Sequence, residues 1–412
     1  ERFGPAYNAA GNDFSKNNLS FRDHTAAPDL QGSVSWGKRF FSRKLGVFVA
    51  AGVQAIHSGA RGFLLLQNNE PQVDNVPGVT DFVKRTYYQT SQHKQFYATL
   101  DYRFNPRHRL RFYQLYINKE DIETRHAVDT SLAEGRTGPG TGRIAIMQRA
   151  RMARQSIEHL NLQGDHQLGK ELSVDWSGVY SMAAGNYPDR AELTANTGRI
   201  LGADGQVQQT PLLLAPLERI WMHNKKQESD VYANLRFKPA LLKQQLELSG
   251  GALLQFRRRD NFFNDYVFNP AITSGNGQPF TNIYDAIWLN NNGPQNPKGT
   301  VNTAGTYTAK ENISAGYLQA AYQTGRWYMI TGIRKESTVQ HVRSAANPGT
   351  ATGKTIVIRY RNWLPSISAR YAIDQQQNLK LSWYQSLSRP SLYDITFFNM
   401  NYDDYNIAGN PF

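Results

Sequence analysis

Glu171-Leu172-Ser173-Val174-Asp175-Trp176-Ser177-Gly178-Val179-Tyr180-Ser181-Met182 alternates without a break. Leu172, Val174, Trp176, Gly178, Tyr180 and Met182 fall on one side. Glu171, Ser173, Asp175, Ser177, Val179 and Ser181 fall on the other. Period two is the signature of a strand with one apolar and one polar face, because successive side chains leave a pleated backbone in opposite directions. A helix would scatter the same apolar residues around its whole circumference. The pattern recurs: Phe96, Ala98, Leu100, Tyr102 and Phe104 oppose Tyr97, Thr99, Asp101 and Arg103. Leu379, Leu381 and Trp383 oppose Lys380, Ser382, Tyr384 and Ser386, and Leu30, Gly32, Val34 and Trp36 oppose Gln31, Ser33 and Ser35.

Carried along the chain, this reading predicts twelve strands, near 30–37, 45–56, 92–104, 109–119, 151–166, 171–183, 229–238, 246–258, 313–323, 327–337, 355–373 and 378–388. Their connections alternate in length. Lys38–Lys44, Asn105–His108, Gln167–Lys170, Pro239–Gln245, Thr324–Arg326 and Asp374–Gln377 are short. His57–Ser91, Glu120–Ala150, Ala184–Glu228 and Arg259–Asn312 are long, and Thr338–Lys354 is intermediate. Short turns at one end and long loops at the other belong to outer-membrane barrels. A soluble sandwich or propeller also alternates, but does not usually gather its long loops at one end. No internal repeat of propeller period is visible either.

Composition agrees. A mean hydropathy of -0.57 and a hydrophobic fraction of 40% look soluble. No apolar run approaches the roughly 18 residues a membrane helix needs. Barrel strands keep their average hydropathy low because half their residues face water. Cysteine is absent, which excludes a disulfide-stapled scaffold. The net charge of +13 raises nucleic acid as a partner, but the basic residues are dispersed, and Arg257-Arg258-Arg259 is the one run of three. No nucleic-acid partner is expected. Glu1-Arg2-Phe3 does not begin a secretory signal, so the chain is expected to be a mature protein or a fragment.

Several motifs narrow this further. Trp383-Tyr384-Gln385-Ser386-Leu387-Ser388-Arg389-Pro390 precedes a polar-aromatic stretch that closes on Gly409-Asn410-Pro411. Thr331-Gly332-Ile333-Arg334-Lys335-Glu336 follows Trp327-Tyr328, and Pro188-Asp189-Arg190 follows a Trp-containing strand. These pieces resemble the barrel domain of TonB-dependent receptors, with Arg389, Pro390, Gly409, Asn410 and Pro411 as structural motif positions. The resemblance implies an all-β, antiparallel, up-and-down transmembrane barrel of the bacterial outer membrane. It also implies 22 strands, a plug, and uptake energised through TonB. A SusC-like (starch-utilisation) arrangement with a surface lipoprotein lid is a variant of it. About twelve strands are counted and neither plug nor coupling segment is found. Residues 1–412 are therefore expected to be one partial barrel domain, lacking plug and C-terminal strands.

No catalytic constellation, metal set or cofactor motif emerges, and no enzyme is expected. Gly353-Lys354-Thr355 leads into a strand, unlike a phosphate loop. Gly138–Gly142 is glycine-rich but lacks the following lysine and helix. His159 and His166 lie on opposite faces of one strand. Glu120-Asp121 has nothing to mark it as an acid–base pair. Asp394 with Asp403-Asp404 reads as a solvated acidic loop. The ligand-binding candidates are loop aromatics and arginines: Tyr187, Arg190 and Trp221 in one long loop, and Arg259, Phe262, Phe263, Tyr266, Tyr284 and Trp288 in another. Rings beside guanidinium groups suit siderophores, glycans, peptides or anions. The same residues could instead pack the barrel mouth or meet lipopolysaccharide. A passive porin-like channel and a scaffold subunit of a larger outer-membrane complex are the rival functions.

Overall fold

A computed structural model describes residues 18, 21, 25–68, 78–240, 245–270, 288–290, 305–344, 355–396, 399–402 and 405–408. The main strands are β1 (Leu30–Phe40), β2 (Leu45–Gln67), β3 (Val79–Asn105), β4 (His108–Ser131), β5 (Gly142–Gln167) and β6 (Leu172–Leu201). Two short pieces, β7 (Val207–Gln209) and β8 (Leu213–Leu214), pair back on β6 before β9 (Leu217–Phe237) and β10 (Leu246–Pro270). After β11 (Trp288–Asn290) come β12 (Tyr307–Thr324), β13 (Trp327–Ser344), β14 (Thr355–Ala372) and β15 (Asn378–Tyr384). A separate hairpin joins β16 (Asn399–Tyr402) to β17 (Tyr405–Ala408).

Every main strand pairs antiparallel with its neighbour along the chain, in the order β1-β2-β3-β4-β5-β6-β9-β10-β12-β13-β14-β15. The result is one up-and-down sheet whose edges, β1 and β15, do not pair with each other. The fold is all-β, and the described sheet is an open arc. Gly325 opens a two-residue turn: Thr324 pairs with Trp327, and Gly325 takes φ +53° at the first central position, where a side chain would be strained.

Register carries the alternation across the sheet. Val47, Leu100, Phe112, Leu162, Gly178, Val231 and Leu254 lie opposite one another on successive strands. The adjoining row is Gly46, Asp101, Arg111, Gln163, Ser177 and Tyr232. The greasy face is the exposed one. Leu100 is 41%, Leu318 70% and Leu381 76% accessible, and Trp176 is half-buried with its indole N–H donating to His166. Among the described residues no packed centre between layers receives these side chains. Apolar residues outward and polar residues inward are what a wall between lipid and water requires.

The band has a measurable height on β13 and β14. Trp327 and Tyr371 pair at the short-turn end, with ring centroids 4.8 Å apart. Lys335 and Trp363 pair at the other end, the ammonium 4.9 Å from the ring centroid. From Trp327 to Lys335 the strand climbs ~26 Å along its axis, or ~20 Å along the membrane normal at a tilt of ~40°. That matches an apolar band about 25 Å tall with aromatic girdles at both rims.

The long connections are shorter than the sequence pattern predicted. Residues 57–67 pair with 79–90, so the link at 57–91 contracts to 68–78. Residues 120–131 and 142–150 pair likewise, as do 184–201 with β7–β9. β10 runs on to Pro270 and β12 starts at Tyr307. Above the bilayer both faces are wet, so alternation disappears while the backbone ladder continues. Tyr87-Tyr88, within the span read as a long loop, sits inside β3. At the other extreme, β15 stops at Tyr384, short of the predicted 388.

Candidate functional site

The polar face is a ladder of ion pairs within strands, between neighbours and across an intervening strand. Asp101 accepts from Arg39 at 3.1 Å and from Arg109 at 2.5 Å, and Arg111 meets Asp165 at 2.7 Å. Higher up, Glu123 takes Arg149 at 3.1 Å and Arg151 at 2.8 Å. Glu192 takes Arg125 at 2.8 Å and Arg190 at 2.7 Å. Arg257 bridges Glu228 at 3.1 Å and Glu311 at 2.7 Å, and Gln340 donates to the second oxygen of Glu311. Single exposed pairs contribute little, but networks of half-buried ones hold their geometry. The wall is wet, charged, and largely self-neutralised.

The candidate contact residues stand on strand extensions and not in loops, and register divides them between the faces. Tyr187, Met222 and Phe263 lie opposite one another, as do Arg190, Ile220 and Asp265. Arg259 shares this polar side, its guanidinium 5.7 Å from the Tyr307 ring and 5.9 Å from the Tyr393 ring. Phe263 is buried beside Ile220, Met222 and Tyr393. Trp221, Phe262 and Tyr266 occupy the opposite side. There Tyr266 is fully buried, edge-on to Trp221 at 5.3 Å, in a cluster with Ala191, Leu193 and Leu217. Of the nine, the structure thus brings Tyr187, Arg190, Arg259 and Phe263 onto one face. Trp288 lies in β11, opposite Pro270. Tyr284 is outside the described residues.

Pro188-Asp189-Arg190 has a clear local role. The β6–β9 register shifts between Tyr187 and Arg190, making a bulge where proline's missing N–H does no harm. The bulge sends adjacent charges in different directions. Asp189 accepts from Arg219 and from Asn18, whereas Arg190 turns to Glu192.

The Ser388-Arg389-Pro390 step is where the chain leaves the wall. After β15, Arg389 pairs with Glu336 on the polar face of β13, and Leu392 and Ile395 pack on Tyr307, Ala309 and Val342. Sequence reasoning did not anticipate this contact. A usable signal existed: Tyr307, Ala309 and Val342 are apolar at positions where the alternation calls for polar residues, so something must cover them. Asp394 closes its own turn by accepting from the Ser391 backbone N–H at 3.0 Å. Asp403, Asp404, Gly409, Asn410 and Pro411 are outside the described residues, as are Gly353 and Lys354.

His159 and His166 face opposite sides, as their spacing predicted: His159 contacts Ser181 on the polar face and His166 contacts His108 and Trp176 on the apolar one. Among the described residues no three His, Asp or Glu side chains are placed to hold a metal. On β10 the lipid-facing positions run from Leu248 to Phe256, and Asp265 stands beyond them. Burial pushes its carboxyl well above the usual carboxylate range, and the Glu218 carboxylate adds to the rise.

Comparison with known proteins bears on the last third and more of the chain. Residues 242–412 match the outer membrane protein beta-barrel family. No curated protein sequence matches. Among solved structures, the FrpB iron transporter of Neisseria meningitidis in its apoprotein form is similar at 6% identity and a TM-score of 0.15. That similarity covers 84% of this chain and 73% of the transporter, a likeness too slight to carry an argument. With its greasy face outward, its ion-paired face inward and the barrel match over residues 242–412, the protein is a β-barrel of the cell outer membrane.

Proposed function

We propose that this barrel is an active-uptake transporter, drawing a scarce ligand across the outer membrane with energy delivered through TonB. The observation that carries the reading is the width of the wall. Twelve consecutive strands still form an open arc, and their inner face carries ion-paired charges from Arg39 and Asp101 to Arg334 and Glu336. Small barrels fill their interiors with side chains, whereas wide ones enclose water or a plug. Strands of 21 to 30 residues at β2 to β6, β9 and β10 support it further, because 9–11 would cross the hydrocarbon. The remainder forms a tall collar, suited to capturing a ligand before it enters. Tyr187, Arg190, Arg259 and Phe263 line the inner side of that collar and are the proposed ligand contacts. A plug, TonB and a surface lipoprotein lid are the partners this mechanism calls for. The wall itself contributes binding and a path, and no chemical step.

Uptake by cells making the full-length protein tests the proposal, using ferric siderophores, oligosaccharides and peptides with and without a protonophore. Uptake of one class that collapses on uncoupling is the expected result. Size-graded permeability to all small solutes, unaffected by uncoupling, would assign the barrel to passive diffusion instead.

A further inference from the structure

Two adjoining hollows, of about 620 and 900 Å³, run along the lipid-facing side of the sheet from the foot of β6 to β14. They share Leu235, Gly250, Leu318 and Ile333 and reach from Leu172 near the short turns to Arg361 and Trp363 at the upper rim. Missing side chains create them. Gly250 lies outward between Leu235 and Leu318, and above it Ala252 lies outward between Ala233 and Gly316, so three small residues adjoin. A Cβ on Gly316 would meet only the Gly251 carbonyl oxygen, at 3.7 Å.

The upper end of this groove is basic. Lys335 and Arg361 line it, and Arg359, Lys310 and Arg343 continue the same outward face above them. All five are exposed, and among the described residues none makes an ion pair. This is unlike the inner face, where Glu311 of β12 and Glu336 of β13 take Arg257, Arg334 and Arg389. From Lys335 and Trp363 upward, the described outward positions of β12, β13 and β14 carry no carboxylate. An unbalanced row of cations at the lipid boundary calls for anions from the membrane side. The rim lies at the long-connection end, so the leaflet it meets is the outer one.

We propose that this groove is a binding site for lipopolysaccharide, with acyl chains lying over Gly250, Ala252 and Gly316 and a lipid A phosphate held by Lys335 and Arg361. Trp363, stacked against the Lys335 ammonium, fixes that cation at headgroup depth. The inference rests on the outer-membrane placement and is independent of what the lumen transports. It also gives part of the chain's positive balance a place to act.

The test is lipopolysaccharide binding to the delipidated, full-length protein in non-ionic detergent. Wild type should bind saturably. K335A/R361A should weaken binding on the order of tenfold, since each cation near an anionic surface contributes modestly. Gly316→Leu, which fills the groove but keeps both cations, should weaken it as well. Lys38→Ala, at the short-turn end of the same face, should bind as wild type does. Dephosphorylated lipid A should bind wild type as poorly as lipopolysaccharide binds the double variant. Circular dichroism of each variant checks that the barrel is intact. Wild-type affinity in an intact K335A/R361A protein would overturn the proposal. So would equal displacement by phosphatidylglycerol micelles, or cross-linking that shows a second copy seated on the groove.

Discussion

Leu162 and Gln163 are chain neighbours that meet different solvents. Leu162 is exposed on the face with Phe112 and Gly178, and Gln163 lies among Arg111 and Ser177. An arginine at 162 must be drawn into hydrocarbon, at a cost of about 2–4 kcal/mol near the bilayer centre. An arginine at 163 stays in water near Asp165 and Asp175. Guanidinium unfolding in lipid vesicles should therefore show Leu162→Arg strongly destabilised and Gln163→Arg close to wild type. Similar losses at both positions would count against the facing assigned to β5. Asp265 supplies a pH-dependent counterpart. Its carboxyl holds its proton in the folded state to higher pH than in the unfolded chain. The associated stabilisation is present at low pH and is lost as pH rises through the folded-state value. Asp265→Asn cannot titrate, so stability measured from pH 4 upward should decline less with pH in the variant. An unchanged slope would show that another group governs that range.

At the scale of elements, the membrane-crossing half of each strand was legible and the half above it was not. Glu171–Met182 declares its faces because lipid on one side and water on the other demand different residues. Residues 57–67 pair with β3 just as regularly, yet His57-Ser58-Gly59-Ala60-Arg61-Gly62 shows no alternation, because water bathes both of its faces. The contact residues were misplaced into loops for this reason. Tyr187 and Phe263 sit opposite the same Met222 through ladder hydrogen bonds that no side-chain pattern advertises. The departure of the chain after β15 was half legible: Pro390 signals a break, but the target of Arg389 is a tertiary fact. That contact makes a prediction of its own. Arg389→Ala should raise amide exchange in residues 385–396 while exchange in β13 and β14 stays slow. Unchanged protection in 385–396 would mean that Leu392 and Ile395 alone hold the segment.

For the molecule as a whole, one arrangement accounts for the composition, the connection lengths and the burial pattern: an arc of barrel wall, greasy outside and ion-paired inside. The low mean hydropathy follows from a wet inner face and a collar standing in water. The positive charge divides between paired arginines within and unpaired cations at the outer rim. The most direct measurement exploits the absence of cysteine. Single cysteines at Leu162, Leu318 and Ile333, and at Gln163, Gln319 and Gly332, would carry spin labels in the protein reconstituted into lipid. Labels at the first three positions should collide readily with dissolved oxygen and hardly with a water-soluble nickel chelate, and labels at the second three should show the reverse. Labels at Leu162, Leu318 and Ile333 shielded from both would place those residues in a packed interior and contradict the barrel.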